Sequence, residues 1–159
     1  MVRGSAAILR AVAVSLPVLF LSPLSIAGAA DEAVKLQPDN AAVVAQGEAI
    51  YRDQCAVCHG ENLEGQPNWR QRNAEGRLPA PPQNASGHSW HHATSVLFTI
   101  TKHGPAAHHG EGYESDMPAF EGVLSDEDIV AVLSFIKSTW PADIRKKHDH
   151  MSKHMKHSH

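Results

Sequence analysis

The pentapeptide Cys55-Ala56-Val57-Cys58-His59 constrains this chain more than any other feature. Thiols at i and i+3 stand one helical turn apart and can face one side of a short helix. The C-x-x-C-H spacing predicts covalent haem attachment: two thioethers to the vinyl groups of one haem, with the next residue placed beneath the iron. His59 is then the proximal axial ligand, and the cofactor is a single haem c. A C-x-x-C pair can also be a redox dithiol or half of a zinc site. A zinc site needs two further ligands at motif spacing, and the chain has no other Cys. A thioredoxin-like dithiol belongs in a βαβ pattern, which is absent here. A disulfide closing so small a loop contributes little.

The sequence ahead of the motif predicts export. Arg3 and Arg10 give a positive start, 11–26 is apolar, and Ala27-Gly28-Ala29 offers small residues for cleavage after Ala29 or Ala30. Pro17 and Pro23 interrupt the apolar run, which falls short of the roughly 20 residues of a spanning helix. Residues 1–30 are therefore expected to be a cleaved signal peptide, with no spanning segment afterwards and a periplasmic address. About 129 residues remain, the length of one domain. Between Asp31 and Ile144, seven Lys and Arg face sixteen Asp and Glu, a net of −9. That balance argues against nucleic acid and suits a redox partner with a basic docking patch, such as a dehydrogenase or oxidase.

The periodicities are helical throughout, and no strand pattern or internal repeat occurs. Residues 31–39 read as a flexible lead-in. Asn40 is a good N-cap for a helix to about Gln54, with Val43, Val44, Ile50 and Tyr51 among its apolar positions. Gly47 in mid-helix is unfavourable and predicts close approach by another helix. Residues 61–86 are rich in Gly, Pro and Asn and read as a long loop around a haem edge. A helix over about 91–102 ends at Gly104-Pro105. The last helix opens at Ser125, carries Asp126, Glu127 and Asp128 in its first turn, and repeats Ile129, Val132, Leu133, Ile136. Trp140-Pro141 ends it.

Met117 is the candidate distal axial ligand. It lies 58 residues beyond His59, and no other Met occurs between the motif and the tail. Pro118 biases it to an extended backbone that can present the thioether. His88, His91, His92, His103, His108 and His109 are rivals, and bis-His ligation would lower the potential. Met117 can also be a core plug.

These residues resemble class I, mono-haem cytochrome c over about 40–140: a helix with Gly47 and Tyr51, then Cys55 to Gly60, a Pro-bearing loop, Asp116-Met117-Pro118-Ala119-Phe120, and a closing amphipathic helix. The resemblance implies an all-α fold of three to four helices around one covalent haem, His/Met iron and one-electron transfer. It places the terminal helices in contact at Gly47, opposite Phe135 or its neighbours. It also implies that a Pro carbonyl, of Pro81 or Pro82, accepts the His59 Nδ1–H. Trp69, Arg70, Arg72, Arg77 and Trp90 become candidates to reach a propionate.

Residues 40–145 thus form the expected cytochrome domain, and 146–159 a disordered tail. The tail contains His148, His150, His154, His157, His159, Met151 and Met155, a composition that can bind copper or another transition metal. The expected function is electron transfer between redox partners, without an enzymatic reaction. Two alternatives are a peroxidase-like haem enzyme using His108 or His109, and a copper-binding or sensing haem module using the tail. A bound subunit of a larger dehydrogenase or oxidase is also compatible.

Overall fold

In the computed structural model, residues 34–154 are described together with Met1. The expected signal peptide and its cleavage point lie outside the described residues, as do Met155, His157 and His159. Residues 34–154 all belong to one unit spanning Glu32 to His159. No strand occurs among the described residues, and none of their helices is long and apolar enough to cross a membrane.

Helix α1 (Ala41–Ile50) starts where Asn40 accepts the N–H of Ala42 and of Val43. It passes into a π-helical turn, Tyr51–Cys55, and then into α2 (Ala56–His59). After the loop and a short 3₁₀ turn (Ser89–His91) come α3 (Thr94–His103) and α4 (Ala106–His109). Helix α5 (Asp126–Ser138) opens on a capping box in which Ser125 and Asp128 exchange side-chain and backbone bonds. Helix α6 (Ala142–His154) closes the described chain.

The central packing is α1 across α5. A Cβ on Gly47 would run into the Ala131 carbonyl and come within 3.0 Å of the Phe135 Cβ, so only Gly allows the crossing. Tyr51 stacks at a tilt on Phe135 with ring centres 5.4 Å apart. The core gathers Leu36, Tyr51, Leu63, Leu97, Ile129, Val132, Leu133, Ile136 and Trp140.

Two boundaries differ from the sequence expectation. From residue 34 the lead-in is not free chain: Leu36 is buried, and the Gln37 N–H donates to the Ser134 hydroxyl at 2.9 Å. One buried side chain and two long-range bonds, the second from Arg145 to Asp39, tie it down. At the other end, 146–154 is helical rather than disordered. The composition of this segment is too polar to pack only if His148 counts as a polar residue. As a neutral imidazole it completes an inward stripe, Ile144, His148, Met151 and Ser152, at i, i+4, i+7, i+8. His148 is fully buried against Trp140, ring centres 5.1 Å apart. Lys137 pairs with Asp149, and Arg145 with Asp39 at 2.7 Å. Ser152 Oγ accepts the Thr94 N–H at 3.1 Å, supplying α3 with a cap that Ala93 cannot provide.

Candidate functional site

Cys55 and Cys58 are both free thiols on the stretch that joins the π-helical turn to α2. Cys58 is exposed and Cys55 half-buried, and Val57 between them stands in solvent. Burial pushes the Cys55 thiol up to about 11, with the neighbouring Cys58 adding to it. Tyr51 fixes the far end of the motif by donating its hydroxyl to the Gly60 carbonyl at 2.8 Å. The π-helical turn had no sequence signal beyond its place before the motif; such turns recur at functional sites.

His59 is buried at 8% exposure. Its Nδ1 lies 2.8 Å from the Pro81 carbonyl oxygen, which makes Pro81 rather than Pro82 the acceptor. Burial lowers the imidazole pKa, and the Pro81 carbonyl opposes that shift. Burial thus favours the neutral ring, and with Nδ1 engaged by Pro81, Nε2 is the nitrogen left with a lone pair for a metal.

The 61–86 loop exists to bring Pro81 back to His59. Gly65 N–H donates to the His59 carbonyl at 2.8 Å, and Gln66 N–H to the Ala80 carbonyl at 2.8 Å. Gly65 has φ +69° and lies against the Pro81–Pro82 backbone, where any Cβ would collide. Gln66 Nε2 also reaches the Cys58 carbonyl at 2.8 Å.

Met117 is half-buried on the segment between α4 and α5. Its N–H donates to Ser115 Oγ at 3.1 Å. Downstream, Phe120 N–H donates to the Thr101 carbonyl at 3.1 Å, and Phe120 is buried. Upstream, Asp116 pairs with Arg77 of the long loop, and Glu114 lies 3.8 Å from the same guanidinium. The Met117 segment is therefore tied on both sides.

The rival histidines fall elsewhere. His88, His92, His108 and His109 form a row from Trp69 to Tyr113, with successive imidazole centres 5.1 to 5.8 Å apart. Burial pushes His92 down to about 4, and the adjacent imidazoles add to it. The row had no sequence signal as a unit, because its members come from three separate segments. His91 is exposed and stacks on Trp90, and His103 faces Glu121 at 3.2 Å. Among the described residues no three His, Cys, Asp or Glu side chains are grouped to hold a metal ion. Among the described residues the expected tail site is not supported: His148 is enclosed against Trp140, Met151 is half-buried, and His150 and His154 pair in solvent. Of the propionate candidates, Arg77 is taken up by Asp116, Arg70 lies over Trp69, Arg72 donates to the Gly76 carbonyl, and Trp90 Nε1 donates to the Ala85 carbonyl.

The residues fit a covalent c-type haem: two free thiols on one helical turn and one oriented imidazole. A family model described as "Cytochrome C oxidase, cbb3-type, subunit III" matches residues 42–136, more than half of the chain. The chain belongs to this cytochrome c family. Membership makes it an electron-transfer haem protein whose cofactor is covalent haem c. Among curated proteins this cytochrome is similar to the "Cbb3-type cytochrome c oxidase subunit FixP" of Bradyrhizobium diazoefficiens, with 26% identity over 107 residues. The similarity covers 66% of this chain and 33% of the relative, so the cytochrome spans about a third of that protein's length. No solved structure matches it.

Proposed function

We propose that this chain is an exported, periplasmic one-electron carrier that delivers electrons to a terminal oxidase. Cys55 and Cys58 tether the haem, and His59 and Met117 are its axial ligands. When bound, the haem iron supplies the Fe(III)/Fe(II) couple. The protein's work is to hold both ligands fixed in either state, so that little reorganises on transfer. The observation that carries this reading is His59 locked by Pro81 one residue after Cys58, with its Nε2 left to donate. The anchored Met117 segment supports the second ligand. The neighbouring His108 and His109 are exposed, and no observation favours a peroxidase-like role for them.

An oxidase as electron acceptor is supported by the printed name of the relative and by the acidic body of the chain. Stopped-flow mixing of the reduced protein with oxidase-containing membranes tests it. Oxidation that slows as salt rises from low to physiological ionic strength is expected for docking on a basic patch. Reduced protein that the membranes leave unoxidised would overturn the assignment of the acceptor.

A further inference from the structure

His59 Nδ1 has a second neighbour. The Gln83 side-chain nitrogen lies 3.1 Å from it, and the Gln83 side-chain oxygen lies 2.6 Å from Ser89 Oγ. Both contacts to Nδ1 cannot hold with this amide orientation. The Pro81 oxygen, 2.8 Å away, can only accept, so Nδ1 carries the hydrogen. A nitrogen that carries its hydrogen has no lone pair in the ring plane to receive an amide N–H. Amide oxygen and nitrogen have nearly the same shape, and the hydrogen-bond network decides between them. Turned over, the amide sets its oxygen toward His59 and its NH2 toward Ser89, whose hydroxyl oxygen can accept.

We propose that Gln83 is a positioning residue whose amide oxygen shares the His59 Nδ1–H with Pro81 and so sets how strongly His59 donates to the haem iron. The proposal rests on His59 being the proximal ligand. The amide is well held. Gln83 N–H donates to the Leu63 carbonyl at 2.9 Å, and its own carbonyl accepts from Trp140 Nε1 at 2.8 Å. Trp140 and Ser89 are both buried. The network therefore runs from His59 through Gln83 to Trp140, just beyond the end of α5. A second acceptor pulls the Nδ1 hydrogen outward and raises the basicity of the nitrogen facing the metal. A more basic ligand favours ferric over ferrous iron, so losing the acceptor raises the reduction potential.

The test is potentiometric titration of the haem-loaded protein carrying Gln83→Leu, Gln83→Glu or Ser89→Ala. The main-chain bonds of Gln83 survive any side-chain change, so these variants keep the frame. Gln83→Leu is expected to raise the ferrous-to-ferric ratio at a fixed ambient potential about three- to tenfold, roughly 30–60 mV at ~59 mV per tenfold for one electron. Ser89→Ala, which releases the amide without removing it, is expected to give a smaller rise. Gln83→Glu is expected to lower the potential. Hydrogen exchange at His59 Nδ1, followed by NMR, is expected to quicken in Gln83→Leu, which a remote packing change would not cause. Unmoved potentials and unmoved exchange in Gln83→Leu would overturn the role of Gln83. A wild-type spectrum lacking His59 ligation would instead overturn the axial assignment, and the proposal with it.

Discussion

Gly47 of α1 lies directly against the main chain of Ala131 in α5, so closely that the Ala131 carbonyl fills the place of a side chain. The contact sets the angle at which α5 crosses the stretch leading into Cys55. Gly47→Ala gains up to about 1 kcal/mol of helix propensity but forces two backbones apart. A net loss of about 1–2 kcal/mol is expected, read as a lower denaturant midpoint of the haem-loaded protein. A variant more stable than the parent would contradict the crossing.

Arg77 ties the long loop to Asp116, the residue before Met117. The pair is partly exposed, so Arg77→Ala is expected to leave global stability nearly unchanged. Its effect is local. Displacement of Met117 in alkaline titration should begin at lower pH, by less than about one unit. Loss of the red methionine–iron absorption band reports it.

His148 gives the C-terminal helix an acid limit. Burial pushes its imidazole down to about 4, the Lys137 ammonium adding to the shift while Asp149 opposes it. The His92 carbonyl also faces the ring, although neither ring nitrogen has a hydrogen-bond partner of good geometry. The native state thus favours the neutral form relative to an ordinary histidine near 6.5. Stability from this group is complete above pH ~6.5 and is lost as pH falls toward ~4, by about 3 kcal/mol in all. Hydrogen-exchange protection factors over 142–154, corrected for the intrinsic pH dependence of amide exchange, should fall between pH 7 and pH 4.5. In His148→Leu that fall should be much smaller.

Ser125 and Asp128 form the capping box of α5. Ser125→Ala leaves one first-turn N–H without its acceptor and should cost about 1 kcal/mol. The Ser125 bonds hold Asp128 below the usual carboxylate range, and Gln46 adds to this. The variant should therefore move the Asp128 titration, followed by carboxyl NMR, upward toward the ordinary value.

Much of this arrangement was legible in the sequence because local chemistry dictated it. Asn40 and Ser125 cap, Gly47 admits a neighbour, and Ile129, Val132, Leu133 and Ile136 all turn inward. Spacing alone brought Cys55, Cys58 and His59 together. The choice of Pro81 over Pro82 needed the path of the loop, which depends on Gly65 and Leu63 at positive φ. Helix α6 was hidden because a buried neutral His reads as polar, although Pro141, Asp143 and the Ile144–His148 spacing are helix signals. Gln83 carried no signal, since its role depends on two segments meeting.

The measurement that tests the central claim most directly is the absorption spectrum of the purified haem-loaded protein, ferric and dithionite-reduced, from the visible into the near infrared, with a pyridine haemochrome. The account predicts one covalent haem c, sharp low-spin bands and a weak methionine–iron charge-transfer band at the red end. A low-spin spectrum without that band would contradict Met117 as the ligand and point to a histidine, and a high-spin spectrum would contradict a closed electron-transfer site altogether.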